Sequence, residues 1–384
     1  MMRAYRAARI LTMDAQRSVV EDGGIVEENG RILAVGPWKE VGGEGACHDL
    51  GSVTLVPGLI NAHVHLELSH LAGRIPAGQG FAAWADGLFG AMKSVRPNPS
   101  DIERAVRSMQ ASGTRYVADV TGREALMVRR ALDACGLGGH LFREFSGRSR
   151  SLGLQSDGMP GPWSPAVHAL YSTDPVLARD VKGWCCARGL PFSLHLAEVP
   201  GENELFLDGG GDFAGFLRSR RILPKSFAPS GMSAVACAGA LGLLDSRTLA
   251  VHCVHVDSHD IGHLAASGAS VCLCPRSNAW IGVGAAPARA LHAAGVPLCL
   301  GTDSLASNAD LDLWEELRAA RTLLGDDTPL ADLLAMVTLN PAKALGIERE
   351  FGCLAPGRRA AWAFLPADFD PSASAPEVSR NCAR

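Results

Sequence analysis

No stretch of about 18 apolar residues, the length that a membrane-spanning helix needs, runs without a charge. The N-terminal MMRAYRAARILTMDAQ also lacks the uninterrupted apolar core of a secretory signal. The chain therefore reads as cytoplasmic, with no membrane partner. A basic excess is missing too: 36 Lys and Arg stand against 40 Asp and Glu, for a net charge of -4. That balance leaves no electrostatic footprint for nucleic acid, and a small molecule is the expected partner. Low hydrophobicity combined with high charge, the mark of disorder, is absent, since 47% of residues are hydrophobic and 20% charged. No internal repeat is visible. Eleven cysteines make an odd number, with Cys185 and Cys186 adjacent and Cys272 and Cys274 two apart in an apolar run. This usage suits buried reduced thiols better than a disulfide framework.

What is present points to an α/β barrel. The 384 residues accommodate a barrel of roughly 250 residues and an accessory module. Residues 1–56 and 345–384 carry short alternating runs such as GGIVEENGRILAVG and FGCLAPGRRAAWAFLP, which read as short strands with tight turns. Between them, over 57–344, eight apolar runs alternate with helical patterns: LINAHVHL, TRYVADV, HLFREFSG, AVHALYS, PFSLHLAE, TLAVHCVHV, SVCLCPRSN and PLCLGTDS. Eight parallel strands with crossover helices close a (β/α)8 TIM barrel. Glycines at 113, 189, 268 and 295 punctuate the helix ends. From Asp101 to Ala111, Ile102, Val106 and Met109 form one apolar stripe for packing on the sheet.

Barrel enzymes place their chemistry at the C-terminal ends of the strands, and polar residues sit there in this sequence. His63 and His65, two apart in a strand, point to one face and can grip one metal ion; the plainer reading is one buried, hydrogen-bonded histidine and one exposed. His195 is followed by Glu198 in HLAE, His252 by His255 in AVHCVHV, and Asp303 emerges from the apolar run in LGTDS. Each alone suits a satisfied core or surface group. Gathered on four strands of one barrel, they converge on one mouth.

The segments LVPGLINAHVHLELS, SLHLAE, LAVHCVH, CPRSN and LGTDSLASN resemble the cytosine deaminase and chlorohydrolase branch of the amidohydrolase superfamily, in order and spacing, over nearly the whole chain. The resemblance implies a small β-sandwich assembled from both termini. It also implies a single divalent ion, Zn2+ or alternatively Fe2+, on His63, His65, His195 and Asp303, with His252 contacting a metal-activated water. The fourth strand, AVHALYS, has no lysine to bridge a second metal. Glu198, at the HxxE position of the deaminases, would protonate the ring nitrogen beside the carbon under attack, and Asp303 would relay a proton to departing ammonia. Amide hydrolysis needs no such ring protonation. The H-x-E with P-C-x-x-C signature of another zinc deaminase fold is only half matched by His65-Leu66-Glu67, because CLCPRS has the wrong order and spacing.

For the substrate, His168 matches the histidine of the HAPYS-like motif that contacts ring or ribose, although Leu170 stands where proline is usual. The stretch HLELSHLAGRIPAGQGFAAW is most similar to the subgroup that deaminates 6-amino-6-deoxyfutalosine in menaquinone biosynthesis. Trp84 would then stack on the substrate or simply pack its helix, and Arg148, with Arg143 and Arg150, would meet a carboxylate or lie solvated. Other substrates open to this branch are adenosine, S-adenosylhomocysteine, guanine, cytosine and chlorinated triazines. A reading of another class is a non-catalytic scaffold that has lost its metal. A homodimer is an expectation from the family alone.

Overall fold

The computed structural model describes residues 2–42, 47–147, 159 and 161–369. The chain divides into two compact units, Met1–Pro57 with Cys353–Arg384, and Gly58–Gly352. In the first, strands Trp362–Phe364, Thr54–Pro57, Met2–Leu11, Val19–Glu28 and Arg31–Pro37 lie side by side in that order, with Cys47–Asp49 also pairing Met2–Leu11. All six belong to one hydrogen-bonded sheet fed by both ends of the chain. Trp362–Phe364 pairs antiparallel with Thr54–Pro57. Ala7, Ile10, Ile25, Ile32, Leu55 and Leu354 form the core of this unit.

The second unit is the barrel. Its strands are β1 (Leu59–Val64), β2 (Thr114–Thr121), β3 (Gly138–Phe145), β4 (Trp163–Ala169), β5 (Phe192–Leu196), β6 (Thr248–His252), β7 (Ser270–Leu273) and β8 (Leu298–Leu300). They follow one another in sequence order, each pair parallel. Each of the eight apolar runs in the sequence supplies one strand. The helix Pro99–Ala111 starts on Asn98, whose side chain accepts from the Ser100 and Asp101 amides, and buries Ile102, Ala105, Val106 and Met109. Gly189 and Gly268 end their helices in the left-handed region, which a glycine enters without steric cost. Among the described residues no helix is long and apolar enough to cross a membrane, and the ten cysteines found there are free thiols.

The barrel closes where the strand β8 meets β1. A parallel bridge joins Val64 to Asp303, and the Asp303 amide donates to the His63 carbonyl at 3.0 Å. Below it, Asn61 Nδ2 donates to Thr302 Oγ1 at 2.7 Å. Gly301 makes the approach possible. A Cβ there would lie 2.6 Å from His63 Cβ, 2.7 Å from its carbonyl oxygen and 2.9 Å from its nitrogen, all nearer than real contacts allow. Gly301→Ala is therefore expected to lower stability by about 1–3 kcal/mol, the usual cost of overpacking. Gly262→Ala, inside a helix with no atom within 4 Å of the added Cβ, should be neutral or stabilising. Urea unfolding of the two variants checks this, and equal effects would remove the special role of Gly301.

Candidate active site

Four strands deliver the predicted residues to one place. His63 leaves β1 fully buried, His65 follows it half-buried, His195 lies on β5, His252 ends β6, and Asp303 follows β8. The His63 ring lies 4.8 Å from His65, 5.0 Å from His195 and 5.8 Å from His252, centroid to centroid. Asp303 Oδ1 is 3.7 Å from His63 Nε2 and 3.6 Å from His65 Nε2. One nitrogen from each of His63, His65 and His195 falls within 4.8 Å of the others.

These gaps are too long for hydrogen bonds, and both ring nitrogens of the buried His63 have no hydrogen-bond partner among the described residues. Buried polar atoms are almost always paired, so an imidazole left bare needs another explanation. A divalent metal fits. Tetrahedral coordination at about 2.0–2.1 Å sets ligand atoms about 3.4 Å apart, close to the observed spacing. Protonation suits it too, because burial lowers His63 to about 4 and keeps its lone pairs free. Burial, reinforced by the surrounding histidines, also holds His195 well below its usual value. Burial pushes Asp303 upward, but His63 and His65 beside it prevail and hold its carboxyl well below the usual carboxylate range.

Glu198, buried next to this cluster, behaves in the opposite way. Burial, with the nearby Asp303 charge adding to it, raises it to about 8. Its Oε1 lies 3.6 Å from His252 Nε2. His252 is lowered by burial, and its Nδ1–H donates to Asn278 Oδ1 at 2.9 Å, which leaves Nε2 as an acceptor on the Glu198 side.

The backbone that aims these groups is strained. Ala197, His252, Cys253 and Asp303 have φ of 49°, 74°, 47° and 55°, conformations that cost a non-glycine residue on the order of 1–3 kcal/mol. All four lie at strand ends facing the cluster, and specific bonds hold them. Glu202 accepts from the amides of Ala197 and Glu198, each at 3.0 Å. The Cys253 amide reaches the Leu196 carbonyl at 3.0 Å. Ser277 and Ser307 donate to Asp303 Oδ2 at 2.6 and 2.8 Å. Sequence reasoning singled out none of Glu202, Asn278, Ser277 and Ser307 individually. The last three sit inside the CPRSN and LGTDSLASN segments, which were the available signal.

Other candidates find different places. His168, next to last in β4, lies 5.1 Å from the His195 ring, and its carbonyl accepts from His195 Nδ1 at 2.8 Å. Trp84 donates its indole N–H to the Ala306 carbonyl at 3.0 Å and packs against Leu71, Ile75, Val254, Ile281 and Val283. Phe81 lies beside it at 5.8 Å. Arg143 covers the Phe145 ring, and Arg148 and Arg150 lie outside the described residues. His255 bonds the Val283 carbonyl. Glu67 accepts from Thr121 Oγ1 and from the amides of Gly122, Arg123 and Glu124 at 2.9–3.1 Å, an anchoring duty that engages both its oxygens.

Known proteins share this architecture. A 5-methylthioadenosine/S-adenosylhomocysteine deaminase of Moorella thermoacetica is 31% identical over 347 residues, covering 81% of this chain and 73% of that protein. Among solved structures, an adenosine deaminase from Xanthomonas campestris with bound zinc aligns with a TM-score of 0.79 at 23% identity, over 97% of this chain and 87% of that one. Helicobacter pylori aminofutalosine deaminase, in complex with methylthio-coformycin, aligns with a TM-score of 0.80 at 23% identity, over 94% and 91%. With the Amidohydrolase family matching residues 54–380 as well, the chain belongs to the amidohydrolase family of hydrolytic enzymes.

Proposed function

We propose that this protein is a metal-dependent deaminase of adenine nucleosides altered at the 5′ position. The class includes methylthioadenosine, S-adenosylhomocysteine and 6-amino-6-deoxyfutalosine. Glu198 carries the reading: a buried carboxylic acid, raised by burial to about 8, stands beside His252 and the cluster of His63, His65 and His195. An amidine-type ring needs that proton, whereas an amide does not.

His63, His65, His195 and Asp303 would hold the metal, zinc in preference to ferrous iron. When bound, it supplies an acidified water, with a pKa of about 7, as the nucleophile at neutral pH. Glu198 donates its proton to the ring nitrogen next to the amino-bearing carbon and draws electron density from that carbon. His252, held by Asn278, accepts a hydrogen bond from the attacking water and orients it. Asp303 receives the water's proton and passes it to the amino group. A carbon–oxygen bond forms, the carbon–nitrogen bond breaks, and ammonia leaves. His168 contacts the nucleoside, and Phe81 and Trp84 provide an apolar wall for the 5′ substituent.

Among substrates, the identity with the Moorella protein supports methylthioadenosine or S-adenosylhomocysteine. The HLELSHLAGRIPAGQGFAAW segment favours 6-amino-6-deoxyfutalosine as a second reading, with a place in menaquinone biosynthesis. Ammonia release by metal-loaded protein on these three compounds, with adenosine, guanine and cytosine alongside, decides between them. Turnover of guanine or cytosine alone would defeat the nucleoside reading. Glu198→Gln should keep its metal and slow turnover by about 10²-fold or more, the weight of a positioned acid–base group; a near wild-type rate would remove Glu198 from catalysis. His63→Ala and Asp303→Ala should lose bound metal on elemental analysis, and unchanged content in either variant would strike that residue from the ligand set.

A further inference from the structure

Glu144, near the end of β3, has no part in the chemistry described so far. Its Oε1 is buried without a hydrogen-bond partner among the described residues. His195 Nδ1 lies 3.8 Å away, but the proton on that nitrogen goes to the His168 carbonyl at 2.8 Å. Glu144, His168 and His195 do bring ligand atoms within 4.8 Å of one another, as a second metal site would. His195 cannot serve it, because Nδ1 carries a proton and Nε2 belongs to the first site.

His168 adds a second acceptor. Its Nδ1 lies 2.7 Å from Ser172 Oγ, and the Ser172 hydroxyl donates to the Ala169 carbonyl at 3.1 Å. In that pair Nδ1–H is therefore the donor, and in the neutral ring Nε2 keeps a free lone pair. Two acceptors on neighbouring strands, with no donor to Glu144 Oε1 among the described residues, call for a ligand that brings two donors. A buried acceptor left unpaired costs about 1–3 kcal/mol, which a matching donor recovers. In an adenine nucleoside the bare ring nitrogens are acceptors, and the amino group is the one removed. The donors must then come from the sugar.

We infer that Glu144, together with His168, recognises the vicinal hydroxyls of the substrate's ribose and so selects nucleosides over free bases. The inference rests on the nucleoside reading above. Its test compares the best substrate of the ammonia-release panel with its 2′,3′-dideoxy counterpart, on wild-type protein, Glu144→Gln and Glu144→Ala. Wild type should lose at least about 10-fold in kcat/KM when the hydroxyls are removed, the worth of hydrogen bonds to a charged acceptor. Glu144→Ala should lose a similar factor on the ribose substrate and almost nothing further on the dideoxy one, with metal content unchanged. Glu144→Gln, which keeps one oxygen and the side chain's shape, should fall between. Equal losses by Glu144→Ala on both substrates would overturn the assignment. Calorimetric binding of inosine and 2′,3′-dideoxyinosine reads the same contact without turnover. An inactive protein that prefers inosine about 10-fold would sink the deaminase reading and keep this one. An active protein that binds both equally would do the reverse, and binding of neither would overturn both.

Discussion

Closure of the barrel between its first and last strands is the constraint on which the site depends. The β8 backbone lies directly on His63 because Gly301 has no side chain, and the Asp303 amide is tied to the His63 carbonyl. From that seam the rest follows. Asp303 turns its Oδ1 toward His63 and His65, while two serine hydroxyls take up Oδ2. β5 and β6, farther round the ring, contribute His195, Glu198 and His252 to the same point. A slip of one residue at the seam would turn Asp303 away from the cluster, since neighbouring strand positions face opposite sides.

Burial sorts the ionisable groups into roles. Burial lowers His63, His195 and His252 and keeps their lone pairs free, whereas a carboxylic acid deprived of water keeps its proton. His63 at about 4 and Glu198 at about 8 show both outcomes within one cluster. Asp303 and His65 are the exceptions, since the carboxylate raises His65 while the imidazoles beside it hold Asp303 ionised. Pairs of groups pushed apart in this way define acid and base in many active sites. Left-handed backbone at Ala197, His252, Cys253 and Asp303 is the mechanical counterpart, a cost met by the packing and hydrogen bonds of the strands beneath.

Much of this was legible in the sequence because it is periodic or positional. Eight apolar runs became eight strands, and histidines at their C-terminal ends met, as the geometry of a closed barrel requires. The Ile102, Val106 and Met109 stripe became a buried helix face. What escaped notice lies in turns. Glu202 looks like any surface carboxylate until the fold brings the Ala197 and Glu198 amides to it, and Asn278 gains meaning only beside His252. The two terminal segments read correctly as short strands, but pairing between distant strands is not written in either one, and the structure joins them in a single hydrogen-bonded sheet. Trp84 shows the same limit: its spacing left substrate stacking and packing open, and its indole proton goes to Ala306.

The seam also bears on how the protein is made. His63 and His65 emerge early in synthesis, whereas Asp303 arrives with the last barrel strand, after every intervening strand has been produced. The proposed ligand set, divided in this way, does not exist on a partly synthesised chain. Two histidines alone form a weak, indiscriminate grip, and geometry able to choose among metals appears only once the ring has closed. On that proposal, metal selection would wait until folding is complete, and a barrel that failed to close would leave no competent site behind.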